Sequence, residues 1–274
     1  MNDGILEELL RARQTRTPCA LATVAATNGS VPRQVGSKML VYNNGKFSGT
    51  IGGGKFESLV IDDCLKSIAG KEPLLKTYPL REGEPDSFGA ICGGDVTVLI
   101  EPQNISAAIF LIGGGHCSLA IAKLALECGM HVTVVDDRVE LLEGFPDAIN
   151  RVELPPAAFI SKRTWRNDEA LVLVSRNYVL DRDALGAAIK RKVPGYVGMI
   201  GSRRKVLRVF DELKQRKIDP KRRQIYAPLG LDIGADSPAE IAVSVIAEIL
   251  QVQRERRGGH LQLPAADGRK RGRS

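Results

Sequence analysis

The chain has 274 residues, of which 43% are hydrophobic and 26% are charged, and this is the composition of a globular protein with a substantial core. Its net charge of +7 is concentrated at the C-terminal end, because residues 254–274 contain seven basic and two acidic side chains. We interpret this segment as a disordered basic tail, so no specific nucleic-acid surface is predicted.

Membrane insertion and secretion are also not indicated. No apolar stretch approaches the roughly 20 residues that a transmembrane helix needs, and the N-terminus carries acids where a signal peptide carries bases. Five cysteines without a CxxC pair are typical of a reducing compartment. The expectation is a cytoplasmic protein with no membrane segment.

The first third of the chain predicts a small α/β domain. A hairpin is indicated at Asn43-Asn44-Gly45, because Asn-Gly between apolar segments favours a tight antiparallel turn. The polar segment 102–106 closes this unit. In chain order, the predicted elements are a helix at 5–13, strands at 20–26, 39–42 and 46–51, a helix at 59–68, and strands at 74–78 and 96–100.

Two glycine-rich corners lie in this N-terminal part. The triplet 52–54 stands between a strand and a helix, and it indicates either a flexible corner or the close approach of a ligand or another backbone. Cys92 precedes two further glycines. Its thiol is either exposed, and then reactive or a soft metal ligand, or a small buried hydrophobe. The residues alone leave these alternatives open.

From residue 107 the pattern becomes strand, glycine turn, helix and strand. An apolar run leads into the triplet 113–115, and a second run at 131–135 ends at Asp136. Glycines at such a turn let backbone N–H groups approach a phosphate, and an acid about 20 residues later suits a ribose hydroxyl. Ser118 occupies the third glycine position of the motif. The turn therefore indicates a nucleotide or phosphate ligand, or else only a tight corner of a doubly wound core.

The remainder alternates strands and helices, which implies a mostly parallel sheet covered on both faces. The predicted elements are strands at 170–174 and 196–200, helices at 184–190, 203–213 and 240–253, and a short strand at 225–227, whereas 148–152 and 159–160 are too short to assign. Asp181 is expected to cap the first of these helices, and Ser237 with Glu240 forms a capping box for the last.

Polar segments follow the strands of this predicted sheet, so they should converge on one edge, where ligands bind. They are residues 113–116, 136–138, 175–178, 201–205 and 230–234. Arg203, Arg204 and Lys205 begin a helix, where the macrodipole disfavours cations. These three bases indicate a bound anion, or they are simply solvated. We predict an N-terminal domain at 1–103, a Rossmann-like domain at 104–253 and a tail at 254–274.

A set of further motifs accompanies the glycine turn. They are Gly29-Ser30-Val31-Pro32-Arg33, Gly49-Thr50-Ile51-Gly52-Gly53-Gly54 with Glu57, Cys92-Gly93-Gly94, Gly113-Gly114-Gly115-His116, Asp136-Asp137-Arg138, Gly201-Ser202-Arg203-Arg204-Lys205, and Gly230-Leu231-Asp232-Ile233-Gly234-Ala235. Together they resemble the xanthine dehydrogenase accessory proteins, the XdhC/CoxI family, over nearly all of residues 5–253.

The resemblance implies a chaperone for a molybdopterin-type molybdenum cofactor, with or without an appended nucleotide. Such a protein holds the cofactor while a cysteine desulfurase supplies the sulfur that replaces one oxo ligand. It then delivers the cofactor to a molybdenum hydroxylase such as xanthine dehydrogenase. Family members are two-domain proteins, are thought to be homodimers, and are not known to turn over a substrate.

The resemblance also implies roles for individual residues. The glycine turn with His116 would approach the phosphate, the segment 136–138 would meet a nucleotide sugar or the pterin, and Glu57 and Cys92 would lie near the metal, with Cys92 as a metal contact. The expected cofactor-binding residues are Arg33, Gly53, Gly54, Glu57, Cys92, Gly93, Gly113, Gly115, His116, Asp136, Asp137, Arg138, Arg176, Gly201, Ser202, Arg203 and Asp232. The alternative is an NAD(P)-dependent oxidoreductase, indicated by Gly113, Gly115 and Asp136 alone.

Overall fold

The computed structural model describes residues 3–80, 93–103, 107–191, 193, 195–222 and 224–261. The chain divides into two compact units, Met1–Ser106 and Ala107–Ser274. The elements of the first unit are α1 (Asp3–Gln14), β1 (Cys19–Asn28), β2 (Lys38–Tyr42), β3 (Phe47–Gly49), α2 (Gly54–Gly70), β4 (Leu74–Pro79) and β5 (Asp95–Gln103).

The second unit contains more helices. Its elements are β6 (Ala108–Ile112), α3 (His116–Glu127), β7 (His131–Asp136), α4 (Val139–Leu142), β8 (Asn150–Glu153), α5 (Pro156–Lys162), β9 (Glu169–Leu173), α6 (Tyr178–Arg191), β10 (Tyr196–Met199), α7 (Arg203–Gln215), a 3-10 turn (Pro220–Arg222) and α8 (Pro238–Gln253). Within the described ranges, none of the helices is both long enough and apolar enough to cross a bilayer.

The N-terminal unit is a five-stranded antiparallel sheet, ordered β3-β2-β1-β5-β4, with a helix on each face. Successive side chains of β1 point to opposite faces. Ala20, Ala22 and Val24 pack in the core that α2 covers, whereas Cys19 and Leu21 pack in the core that α1 covers. Burial on both faces explains why β1 has a continuous apolar run.

The C-terminal unit is a parallel sheet ordered β8-β7-β6-β9-β10. In order of appearance within the unit this is 3-2-1-4-5, the strand order of Rossmann folds. Every residue of β6, β9 and β10 is buried, because α3 and α8 pack on one face while α5, α6 and α7 pack on the other. The predicted doubly wound parallel sheet is confirmed.

Three short segments differ from the sequence-based expectation. The strand expected at 46–51 is only β3, since Gly49 adopts a φ of 82° that ends the extended conformation. The segment at 159–160 lies in helix α5. The strand expected at 225–227 is reduced to a single parallel bridge between Gly198 and Tyr226, because Pro228 has no N–H with which to continue the ladder. Of the basic tail, residues 262–274 lie outside the described residues.

Candidate functional site

The candidate site of the C-terminal unit begins where β6 and β9 lie side by side, the point at which the strand order reverses. The glycine turn follows β6, and Ser175 follows β9. A Cβ atom on Gly113 would lie 2.5 Å from the carbonyl oxygen of Val174 and 2.8 Å from the Cα of Ser175. The two loops are therefore in backbone contact at the carboxyl edge of the sheet, where α/β proteins bind ligands.

The three glycines of the turn have different reasons for being glycine. Gly113 has a φ of 119° and no room for a side chain. Gly114 donates its N–H to Oδ2 of Asp136 at 2.7 Å, and its Cβ would lie 3.1 Å from Leu141. Gly115 has an ordinary φ of −78°, and no described atom lies within 4 Å of its Cβ position. Neither backbone conformation nor protein packing requires glycine at position 115.

The open position above Gly115 lies at the start of helix α3. Gly115 is its N-cap and supplies no side-chain acceptor, so the first N–H groups of the helix have no side-chain cap. His116, the first helical residue, is exposed. Ser118, in the same turn, is fully buried, and its Oγ has no hydrogen-bond partner within the described residues. This helix start has the geometry of an anion site.

Asp136 ends β7 as predicted, but its carboxylate is occupied by the protein itself. Oδ2 accepts from Gly114 and from Nη2 of Arg138 at 3.0 Å. Oδ1 accepts from the backbone N–H of Arg138 at 3.1 Å and from its Nε at 2.9 Å. These four bonds fill the roughly four lone-pair sites of a carboxylate. In this conformation Asp136 has no acceptor site left for a ribose hydroxyl.

The neighbouring Asp137 pairs with Arg176, which follows β9. Nη1 and Nη2 of Arg176 lie 2.7 and 3.2 Å from the two carboxylate oxygens. The hydrogen bond from Arg176 is the main reason that the pKa of Asp137 is lowered to about 2. The hydrogen bond with Asp136 likewise raises the pKa of Arg138. Each guanidinium uses two of its five N–H donors in these pairs, so donors remain for a ligand.

Lys205 is not one of three equivalent bases at the start of α7. Its Nζ lies 2.5 Å from Oδ2 of Asp181, whose side chain is fully buried. Asp181 also accepts from the backbone N–H of Ser175 at 3.2 Å and from its Oγ at 2.6 Å. Asp181 therefore joins the loops after β9 and β10. The expected helix cap is instead Asn177, whose Oδ1 accepts from the N–H groups of Val179 and Leu180.

A cavity of about 550 Å³ lies farther along the same unit, between the start of α7 and the loop at residues 228–235. Gly201, Arg203 and Asp232 of the expected set are among its lining residues. Ser202, also in that set, is the N-cap of α7, and its Oγ accepts from the N–H of Lys205. The structure thus groups four of the expected residues around one end of α7.

In the N-terminal unit, the second glycine triplet surrounds a carboxylate of this chain. Oε1 of Glu57 accepts from the hydroxyl of Thr50 and from the N–H groups of Ile51, Gly52 and Gly53, at 3.0, 3.3 and 2.9 Å for the three backbone donors. Burial by itself would raise the pKa of Glu57, but these hydrogen bonds outweigh burial and the pKa is lowered. The turn is built around an internal anion.

Two other motifs of this unit meet near the same triplet. A Cβ on Gly52 would lie 2.8 Å from Pro32, and one on Gly29 would lie 3.1 Å from the Cα of Gly94. Close backbone packing therefore explains part of the glycine content here. At Gly53 and Gly54, no described atom lies within 4 Å of the Cβ position, and both have positive φ.

The remaining expected residues of this unit are less constrained. Arg33 and Gly93 are exposed. Cys92, the expected metal contact, lies outside the described residues. Within the described ranges, no group of three or more His, Cys, Asp or Glu side chains is arranged to hold a metal ion.

Some residues of these clusters were not singled out by sequence reasoning. Ser244 and Glu248 on α8 and Thr50 beside Glu57 each bond to a candidate loop. Glu248 is 18 residues from its partner Gly230. No local pattern of residues indicates such contacts, because they depend on how the helices pack.

The sheet order and the glycine turn define a Rossmann-type α/β protein. The family model described as the XdhC Rossmann domain matches residues 109–249, and the model described as the XdhC and CoxI family matches residues 12–79. The protein belongs to the XdhC and CoxI family, and the resemblance noted in the sequence is confirmed.

Individual relatives agree with this assignment. The chain is 32% identical over 266 residues to the uncharacterized protein YqeB of Escherichia coli K12, which covers 96% of this chain and 48% of that protein. It is 31% identical over 157 residues to a Bacillus subtilis 168 protein described as a probable subunit of xanthine dehydrogenase, which covers 57% of this chain and 44% of that protein. The chain spans less than half the length of both curated relatives.

The fold also resembles a crystal structure described as a xanthine dehydrogenase from Bacillus halodurans. The TM-score is 0.50 at 22% identity, and the match covers 91% of this chain and 96% of the other. At this level of identity the likeness supports the fold.

Proposed function

We propose that this protein binds a molybdopterin-type molybdenum cofactor as cargo and delivers it to a molybdenum hydroxylase. The observation that carries the proposal is the open position above Gly115, at the uncapped start of α3. A phosphate seated there would receive backbone N–H groups and the favourable end of the helix dipole. The absence of a side chain at Gly115 is what would let that phosphate approach.

Other residues of the same edge have the chemistry to assist. His116 is exposed beside the turn, and Arg138 and Arg176 retain unused N–H donors after pairing with Asp136 and Asp137. Arginine donors form strong, charge-assisted bonds to phosphate oxygens. These residues would bind and orient the phosphorylated part of the cofactor.

Family membership supports the partner. One relative is described as a probable subunit of xanthine dehydrogenase, so we propose a hydroxylase of that type as the client. We further propose that the cofactor is held while a cysteine desulfurase provides sulfur, and that the protein acts as a homodimer. The bound cofactor supplies the molybdenum centre, whereas this chain contributes binding, orientation and shielding from water.

The alternative, an NAD(P)-dependent oxidoreductase, is less well supported by the geometry. A dinucleotide enzyme of that kind uses the acid after the second strand to accept ribose hydroxyls. Here that acid, Asp136, already accepts four hydrogen bonds from Gly114 and Arg138.

The test is to express the protein in a host that makes the cofactor, purify it, and measure molybdenum and pterin by elemental analysis and mass spectrometry. We expect both in the wild-type protein and a strong reduction in Gly115→Val. Gly70→Ala is the matched control, because Gly70 also has an open Cβ position but ends α2 in the other unit. A folded wild-type protein containing neither molybdenum nor pterin would contradict the proposal.

A further inference from the structure

We infer that the cavity between the start of α7 and the loop at residues 228–235 binds a 2-amino-4-oxopyrimidine ring, with Asp232 accepting hydrogen bonds from its N–H edge. This assigns a ring to a place separate from the glycine turn, and it rests on the proposed function because pterins carry that edge. The cavity measures about 550 Å³, within the range of small-molecule pockets.

Two unpaired charges of opposite sign line this cavity. Arg203 and Asp232 are both exposed, and within the part of the chain that the structure describes neither side chain makes a hydrogen bond or ion pair. Other charged groups of this unit are paired, as Lys205 is with Asp181 and Arg176 with Asp137. A ligand that complements the cavity therefore presents an anion to one wall and N–H donors to another.

The loop that carries Asp232 is held in place from both sides. The N–H of Gly230 donates to Oε2 of Glu248 at 2.9 Å. The carbonyl of Leu231 accepts from Oγ of Ser244 at 2.6 Å, and the N–H of Leu231 donates to the carbonyl of Ser244 at 3.3 Å. Because the residues before Asp232 are anchored to α8, little ordering is needed when a ligand binds.

The chemistry of Asp232 selects a ring edge. An ionised carboxylate only accepts hydrogen bonds, and its two oxygens match a ring N–H beside an exocyclic amino group. Pterin and guanine share that edge. Adenine lacks it, and xanthine carries a carbonyl where guanine carries the amino group, so a carboxylate would repel it. Arg203 is suited to the phosphate of the same ligand.

The experiment is calorimetric titration of the full-length protein with neopterin monophosphate, GMP, XMP and AMP. We expect neopterin monophosphate and GMP to bind about tenfold or more tightly than XMP and AMP, as bidentate recognition of a ring edge provides. Tighter binding of neopterin monophosphate than of GMP assigns the cavity to pterins, and the reverse order assigns it to guanine nucleotides. Equal affinity for all four compounds, or no binding of any, overturns the inference.

Variants test Asp232 directly. Asp232→Asn replaces one acceptor by a donor, so preference should change from GMP to XMP. Asp236→Asn is the matched control, since Asp236 is an exposed acid of the same segment that does not line the cavity. Both variants should fold as the wild type does, which thermal unfolding checks. If Asp232→Asn keeps the wild-type order of affinities, Asp232 does not contact the ring.

A second pair of variants tests the anion side. Arg203→Gln should weaken neopterin monophosphate but leave unphosphorylated neopterin unchanged, and Arg204→Gln, next to it but outside the cavity lining, should change neither. Equal losses for both neopterin compounds contradict the role of Arg203. The proposed function fails separately: cofactor retained by Asp232→Asn in the purified protein refutes only this inference, whereas a GMP-to-XMP change without any molybdenum in the wild type refutes only the proposed function.

Discussion

Arg138 holds the carboxylate of Asp136 in a bidentate pair, with Nε 2.9 Å from Oδ1 and Nη2 3.0 Å from Oδ2. The same carboxylate accepts the N–H of Gly114 at 2.7 Å. The acid at the end of β7 thus links the glycine turn to an arginine two residues farther along the chain. It acts as an internal acceptor that shapes the turn, and this changes what the site is expected to bind.

This arrangement predicts a gain of binding. Arg138→Ala removes two of the four donors at Asp136 and exposes an acceptor site on each oxygen. ADP-ribose should then bind about tenfold or more tightly to the variant than to the wild type, because a ribose diol can replace the guanidinium. Calorimetric titration measures the difference. Arg176→Ala is the control, since it leaves all four bonds to Asp136 in place, and equal affinity in all three proteins would show that Arg138 does not mask the acid.

The open position at Gly115 predicts a variant that folds but is empty. In Gly115→Val the side chain meets no described atom within 4 Å of its Cβ, and the φ of −78° is acceptable for valine. The free energy of unfolding should change by less than about 1 kcal/mol, since a weaker N-cap is offset by a less flexible unfolded chain. Bound pterin should fall to background. Chemical denaturation and mass spectrometry of the same preparation check both parts, and wild-type pterin content would place the phosphate elsewhere.

Two residues earlier, the same kind of substitution should act on folding. Gly113→Ala forces a Cβ to 2.5 Å from the carbonyl oxygen of Val174 at a φ of 119°. We expect a loss of about 1–3 kcal/mol or more in the free energy of unfolding, because both the backbone conformation and the loop contact are disturbed. Urea denaturation measures it. A stability equal to that of Gly115→Ala would mean that the loops after β6 and β9 separate without cost.

Glu57 predicts a pH-dependent contribution. Glu57→Gln removes the charge that the N–H groups of Ile51, Gly52 and Gly53 surround, which should cost about 2 kcal/mol at neutral pH. Because the folded-state pKa is lowered, this contribution is complete above the unfolded value of about 4.3 and is lost as the pH falls toward the folded value. The difference between wild type and variant should therefore narrow in acid.

Denaturation curves of both proteins between neutral pH and about pH 3 measure this narrowing. Glu7→Gln is the control, because Glu7 is exposed on α1 of the same unit. A difference that does not vary with pH would exclude an ionised Glu57 as the source of the effect.

The pair between Lys205 and Asp181 predicts that neighbouring bases differ in importance. Lys205→Met leaves the buried carboxylate of Asp181 without its cation, which should cost about 3 kcal/mol. Arg204→Met, at an exposed position with no partner within the described residues, should change stability by less than about 0.5 kcal/mol. Thermal unfolding of the two variants compares them, and similar melting temperatures would rule out a structural role for the pair.

Much of the fold could be predicted because burial leaves a pattern in the chain. Strands β6, β9 and β10 are buried along their whole length, so they stand out as short apolar runs. Edge elements were harder: β8 is mostly exposed, and α5 has only seven residues. Where few side chains are buried, the pattern is weak and the local sequence fits more than one conformation.

The candidate site was predictable in position but not in its bonds. Asp136 stands at the end of β7 as its spacing indicated, and the polar segments after β6, β7 and β9 are joined by contacts. Which group would accept from the glycine turn was not predictable, because Arg138 is also exposed enough to point to solvent. The same holds for Glu57, whose carboxylate occupies the turn that the glycines form.

The amino-acid sequence by itself determined the order of strands and helices, the glycine corners and the family, since these depend on periodicity and on residues that are close along the chain. Only the tertiary structure decided which charges are paired. It buried Asp181 against Lys205, covered Asp136 with Arg138, and left Arg203 and Asp232 without partners among the described residues. Pairing depends on distances between side chains from separate elements, and those distances exist only once the sheet and its helices have packed.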